Sequence, residues 1–281
     1  YRRQRQMCIR DRIDDDTISV EVFGNTQDFS LDDIVISFEE KPLAIPLNEK
    51  ILGRTFNGLG APIDNGGDIY ADKTYSVEGE PLNPVAREYP RDFIQTGISA
   101  IDTLTTLIRG QKLPIFSASG LSHNEIAAQI VRQAKLKTDE NFAFVFAAMG
   151  IKKDEAMFFE DAFNKAGVRD KVVMYQNLAD SPIMERLIAP KCALTAAEYL
   201  AFEKGYHVLT IITDMTSYAE ALREVSSIRQ EVPSRKGYPG YLYSDLATIY
   251  ERAGMIEGRD GSVTLIPILT CLLYTSPSPR D

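Results

Sequence analysis

Tryptophan is absent from the 281 residues, cysteine occurs three times and histidine twice. Cys8, Cys192 and Cys271 have neither the density of a disulfide framework nor a metal-ligand spacing, which points to a reducing, cytoplasmic setting and to no metal centre. Long apolar runs are missing as well. The most extended one, Phe142 to Ile151, is well short of the roughly 18 to 20 residues that span a bilayer, and no apolar segment opens the chain as an export signal would. Positive charge is in deficit, with 31 Lys and Arg against 40 Asp and Glu for a net of −9. Broad binding to nucleic acid or an anionic membrane needs a positive surface and is excluded, although a local basic site is not. What is present, 44% hydrophobic and 25% charged residues with 18 Gly and 14 Pro, is ordinary for a globular chain of about two domains.

Both ends read as foreign. Met7-Cys8-Ile9-Arg10-Asp11-Arg12 can be encoded by a DNA string whose reverse complement, in a shifted frame, spells Cys271-Leu272-Leu273-Tyr274-Thr275-Ser276. End peptides encoded by one inverted repeat resemble translated sequencing adapters, and the alternative is a basic arm with a Pro/Ser tail. Residues 1–12 and 271–281 are therefore kept out of the fold reading. Of the 281 residues, 258 remain; they have six fewer basic and two fewer acidic residues than the whole, a net of −13, with Cys192 as their one cysteine. The expectation is a fragment.

Ile18, Val20 and Val22 alternate with polar residues, as do Ile34, Ile36 and Phe38, which predicts half-buried strands. Two strands make a poor sheet alone, so residues 13–41 read as the end of a small β-domain. The Gly- and Pro-rich residues 42–97 read as ordered, turn-dominated connection. Beyond them, apolar runs at 113–116, 142–147, 171–175, 207–213 and 262–266 are separated by helix-length stretches. Ile126, Ala127, Ile130, Val131 and Ala134 fall at helical spacing, and so do Ala156, Phe159, Ala162 and Phe163. Strands alternating with helices predict an α/β fold, a parallel sheet covered on both faces.

The first of these strands, Leu113-Pro114-Ile115-Phe116, runs into Ser117-Ala118-Ser119-Gly120-Leu121-Ser122-His123-Asn124 and then into a helix. That is the place of a phosphate loop, G-x-x-x-x-G-K-[ST], whose glycines let backbone N–H groups wrap the phosphates while lysine and a hydroxyl meet the outer phosphates and magnesium. Here Ser117 and Ser122 replace the glycines, His123 the lysine and Asn124 the hydroxyl. An ammonium about 4 Å from a phosphate oxygen is worth up to about 4 kcal/mol at an effective dielectric near 20, and a mostly neutral imidazole forfeits most of that. Hydrolysis is not expected at this loop. From these residues alone, an ordinary helix-opening Ser/Asn loop is an equal reading.

This loop and the stretches Leu52 to Asp64, Gly79 to Arg87, Phe93 to Asp102, Arg109 to Phe116 and Val232 to Tyr241 make the chain resemble the B subunits of V-type/A-type rotary ATPases over nearly all of residues 13–270. These are the non-catalytic, regulatory partners of the catalytic A subunits. The resemblance implies an N-terminal β-barrel, a central P-loop-type (RecA-like) nucleotide-binding domain and a C-terminal helical domain, with A and B alternating in a hexameric ring. This chain would retain the barrel's end (13–41) and most of the central domain (42–270). The helical domain would be missing, with the Ser-Leu-Ser-Arg-Leu segment whose arginine reaches the neighbouring A subunit's ATP.

The resemblance further implies that the catalytic members' Gly-Glu-Arg is represented by Gly150-Ile151-Lys152, so that Ile151 marks a lost general base. A positioned base contributes roughly 10² to 10⁴ in rate. Asp214, after Thr210-Ile211-Ile212-Thr213, is either a relic of the magnesium-binding acid or a helix-capping carboxylate. The loop 233–243 is expected at subunit contacts and near the central shaft, through Arg235, Tyr238, Tyr241 and Tyr243, aromatic residues suiting an interface. No catalytic residue and no required cofactor is expected, ATP or ADP being held at the A/B interface. The implied partners are A subunits and central-stalk subunits, with no nucleic acid and no membrane insertion. The implied location is the soluble head of a membrane-peripheral complex.

Among the remaining candidates, His207 reads as a packing or surface residue, Cys192 as buried filler, and Lys152-Lys153 as a surface pair or a subunit contact. The rival function is a catalytic ring subunit or a hexameric nucleic-acid motor of the same fold, either of which needs an intact phosphate loop. Residual anion binding by the loop's backbone N–H groups stays open.

Overall fold

The computed structural model describes residues 7–14, 17–22, 42–71, 73–79, 82–89, 91–118, 120–136 and 141–270. The chain begins with strands β1 (Met7–Asp14), β2 (Thr17–Val22), β3 (Ala44–Pro46), β4 (Thr55–Asn57), β5 (Thr74–Ser76) and β6 (Ile94–Gln95). Next come helix α1 (Ser99–Leu104), β7 (Ile115–Ser117), α2 (His123–Gln133), β8 (Lys135–Leu136), β9 (Phe142–Ile151), α3 (Lys153–Lys165) and β10 (Val172–Leu178). The rest is α4 (Ile183–Glu198), β11 (His207–Thr213), α5 (Met215–Ile228), α6 (Leu242–Tyr250), β12 (Gly254–Met255) and β13 (Ser262–Thr270).

Seven strands make the central sheet. Along it β4, β10, β9, β11 and β13 are parallel neighbours, and β13's far edge pairs with β7 in parallel and with β12 antiparallel. The five apolar runs of the sequence supply β7, β9, β10, β11 and β13. Strand β9 shows why an unbroken apolar run still has two faces. Phe144, Phe146 and Ala148 join α2 and α3 in one core, while Ala143, Val145, Ala147 and Met149 join α4 and α5 in the other. The second face of the sheet therefore costs no polar side chain.

Three details differ from the sequence reading. Leu113 and Pro114 precede the strand because Pro114 has no N–H to give a ladder, so β7 starts at Ile115. The turn-rich connection contributes β4 to the sheet's edge, in register with Met174 to Gln176 of β10. Ile126, expected on the buried helix face, is 38% exposed. The β1–β2 ribbon brings Met7 to Ile9, within the adapter-like stretch, opposite Val20 to Val22. The second alternating run, Ile34, Ile36 and Phe38, lies outside the described residues, as do residues 271–281.

In a parallel sheet all carboxyl ends emerge on one side. Here that edge gathers Ser117, Ile151, Leu178, Asp214 and Thr270 from five different strand ends. The helices that follow start there, so their N-termini face the same side.

Candidate functional site

The loop between β7 and α2 has the strand–loop–helix form of a phosphate loop, but the side chains of Ser117, His123 and Asn124 turn on the protein itself. Ser117 is buried, and its hydroxyl donates to Ala118 O at 3.3 Å. Gly120 adopts φ +84° with open space around its missing Cβ, the one position in the loop that needs glycine's freedom; Ser119 is outside the described residues. Ser122 caps α2 without a side-chain hydrogen bond. At His123 the ring folds back, Nδ1 lying 3.0 Å from Leu121 O, and the backbone N–H donates to the same oxygen at 2.9 Å. A carbonyl can only accept, so Nδ1 carries the proton.

Asn124 points at its neighbours too. Its Nδ2 donates to Glu155 Oε1 on α3 at 3.0 Å, and Thr213 Oγ1 lies 3.5 Å from its Oδ1. Glu155 Oε2 accepts the backbone N–H of Lys152 at 3.0 Å. A chain of contacts thus runs from β11 through α2 to the start of α3. Glu125 adds a carboxylate to the first turn of α2, where the helix dipole welcomes negative charge.

Ile151 is 5% exposed and belongs to the core under α2 and α3. Asp214 is a helix cap. Its Oδ1 accepts the N–H groups of Thr216 at 2.9 Å and Thr270 at 3.2 Å, and Oδ2 accepts the Thr270 hydroxyl at 2.5 Å. Tyr250 stands near it, its phenol pushed up to about 12 by burial and by the Asp214 charge. With no ammonium at 123, no hydroxyl at 124 and the 214 carboxylate occupied by three donors, this donor set does not fit a magnesium triphosphate. Among the described residues, no group of three or more His, Cys, Asp or Glu could hold a metal ion.

The loop 233–243 divides in two. Tyr238 donates its hydroxyl to Glu220, carries Arg223 5.6 Å over its ring, and has its phenol pushed up to about 12 by burial and by Glu220. Tyr241 donates to Glu231 Oε2 at 2.9 Å and packs on the core. Both are held by contacts within this chain. Arg235 and Tyr243, the latter 85% exposed, face outward together with Val232.

His207 is buried between Ser262 Oγ, 2.9 Å from Nδ1, and Arg109 Nη1, 3.3 Å from Nε2. Cys192 is fully buried, its thiol pushed up to about 12. Lys152 is exposed, and Lys153 meets Asp180 at 3.5 Å on the surface. Sequence reasoning missed Glu155 and Thr270. Glu155, three residues after Lys152, carries a capping-box spacing that could have found it; Thr270 has no local signal, since it meets Asp214 across 56 positions.

The pattern of the ATP synthase alpha/beta family, nucleotide-binding domain, matches residues 97–272. The sequence is 63% identical over 258 residues to the V-type ATP synthase beta chain 2 of Clostridium tetani, covering 91% of this chain and 56% of that protein. It is 59% identical over 252 residues to the A-type ATP synthase B subunit of Aeropyrum pernix, covering 89% and 54%. Among solved structures, the ATP synthase subunit NeqB from Nanoarcheaum equitans superposes with a TM-score of 0.74 at 43% identity, covering 82% of this chain and 55% of that one. The chain spans about half the length of the curated relatives it matches.

Proposed function

Because this chain belongs to the ATP synthase alpha/beta family, we propose that it is the central part of a non-catalytic, regulatory B subunit of a V-type/A-type rotary ATPase. In this reading it alternates with catalytic A subunits in a ring and contacts the central stalk. ATP synthesis or hydrolysis on A is thereby coupled to proton or sodium transport across a membrane. The observation that carries the reading is the state of the loop, with the His123 ring on Leu121 O and the Asn124 amide on Glu155 at the positions of ammonium and hydroxyl. Ile151 in the apolar core supports it, because an alkyl side chain cannot take a proton from water.

The chain itself needs no cofactor, and ATP or ADP is bound at the A/B interface. An arginine supplied in trans is worth about 10³ to 10⁵ in rate, so chemistry on A depends on the complete neighbour. The head of the complex is cytoplasmic and peripheral; no helix among the described residues is long and apolar enough to cross a membrane. The test is phosphate release by the complete, purified B subunit given MgATP without A. The expected result is none above the blank, and robust turnover would end the non-catalytic reading.

A further inference from the structure

The connecting segment carries two Asn-Gly pairs, Asn57-Gly58 and Asn65-Gly66. Asn-Gly is the dipeptide most prone to deamidate, because a glycine without Cβ leaves its main-chain nitrogen free to reach the asparagine side-chain carbon. Identical in sequence, the two pairs differ in structure. Asn57 ends β4 in register with Gln176, and its Oδ1 accepts the N–H groups of Leu59 at 3.1 Å and Ala61 at 2.8 Å. Gly58 is wedged against α4, where a Cβ would stand 2.8 Å from Glu185 O. Neither the Asn57 amide nor the peptide that follows it has room to turn.

Asn65 is exposed, and so is Gly66. Asn65 sits at φ +57°, outside strand and helix, and among the described residues its side-chain amide has no hydrogen-bond partner. The Gly66 nitrogen has one hold, its N–H donating to Asp64 Oδ1 at 3.0 Å. The Arg54 guanidinium lies against the same glycine, since a Cβ there would stand 2.7 Å from Cζ. A cation so placed stabilises the nitrogen anion that forms when base removes the N–H proton.

We infer that Asn65 is a site of spontaneous deamidation, that Asn57 is protected, and that conversion at 65 loosens the Arg54–Asp64 pair. The Gly66 nitrogen attacks Asn65 Cγ; its proton and the side-chain amino group leave together as ammonia, and a cyclic imide remains. Water then opens the imide at either carbonyl, giving aspartate or isoaspartate. Both products set a new carboxylate beside Asp64. Isoaspartate also lengthens the main chain by a methylene between Asp64 and Gly67, whose carbonyl accepts Arg54 Nη2 at 2.7 Å. The two groups that hold the guanidinium are then spaced wrongly for it.

The experiment ages the complete chain in mildly alkaline buffer, folded or unfolded in guanidinium chloride, and follows both asparagines by peptide mass spectrometry. In the folded chain the acid forms, isoaspartate among them, should accumulate in the peptide carrying residue 65. Conversion at residue 57 should be at least about tenfold slower, because two hydrogen bonds to its side chain must first break. In denaturant the two rates should converge. Asn65→Gln, whose longer side chain closes the larger ring poorly, should abolish the mass gain in that peptide. The isoaspartate-bearing fraction, returned to fresh buffer, should unfold at lower denaturant concentration than unaged protein. Equal rates at 57 and 65 in the folded chain would overturn the inference, as would conversion at 65 that appears only in denaturant. So would a contrast of the same size in denaturant, since local sequence and not the fold would then set it. An unchanged unfolding midpoint for the aged fraction would overturn the link to the Arg54–Asp64 pair.

Discussion

A phosphate loop works by aiming donors at empty space, and the side chains at 123 and 124 do the opposite. His123 gives its Nδ1 proton to Leu121 O, and Asn124 gives its amide to Glu155. Restoring only the cation leaves an amide at Asn124 in place of the hydroxyl, a buried alkyl group at Ile151 and an Asp214 carboxylate already satisfied by Thr216 and Thr270. His123→Lys in the complete B subunit is therefore expected to release no phosphate from MgATP above the blank, in a coupled assay without A. A lysine gains at most about 4 kcal/mol of phosphate attraction, a binding term that activates no water. Turnover by that single variant would show that Ile151 is not a second defect. The loop was legible in the sequence because its form is local, an apolar strand, a Gly-containing bend and a helix within about twenty residues. The partners that disable it were not, since Asn124 meets Glu155 across 31 positions and Asp214 meets Thr270 across 56.

Among the elements, β9, β10, β11 and β13 were readable because burial on both faces writes a continuous apolar run. Strand β4 was not. Three residues, Thr55, Phe56 and Asn57, lie among glycines and prolines, and besides the burial of Phe56 against Tyr175 what holds them is polar: Asp64 accepts from Arg54 Nε at 2.5 Å and Nη2 at 2.7 Å, and from the N–H of Thr55 at 3.1 Å. The Arg54 guanidinium, together with the N–H groups of Gly66 and Thr55, holds the Asp64 carboxyl well below the usual carboxylate range against its partial desolvation. A carboxyl depressed in the folded state contributes stability above its unfolded pKa, about 3.9, and loses that contribution as pH falls toward the folded value. Asp64→Asn should accordingly cost about 2 kcal/mol near pH 7 in urea unfolding, and the gap to the unsubstituted protein should narrow steadily below about pH 4. A gap independent of pH would mean that the turn is held by packing and not by the ion pair.

At the scale of the whole molecule, the connecting segment has to be fastened to the α/β layers, and one buried side chain joins it to two helices at once. Arg252, just past α6 and 3% exposed, directs all five of its N–H bonds inward. They go to Glu198 Oε1 and Oε2 at 2.6 and 2.7 Å, Thr195 Oγ1 at 2.8 Å, Lys191 O at 3.2 Å and Val77 O at 3.1 Å. The end of α4, the end of α6 and the segment beyond β5 meet at one planar group. The approach is so close that a Cβ on Gly79, at φ +67°, would stand 2.5 Å from Arg252 Nη2. Removing only the cation strands a carboxylate that is 15% exposed, so Arg252→Ala should lose about 3 to 5 kcal/mol of unfolding free energy. Replacing both charges, Arg252→Met with Glu198→Leu, removes the stranded charge and should recover most of that loss. The comparison is made by urea unfolding of the complete chain, with circular dichroism as the readout. If the double variant is as unstable as Arg252→Ala, the directional bonds to Val77 O, Lys191 O and Thr195 fasten the segment, and charge compensation with Glu198 does not.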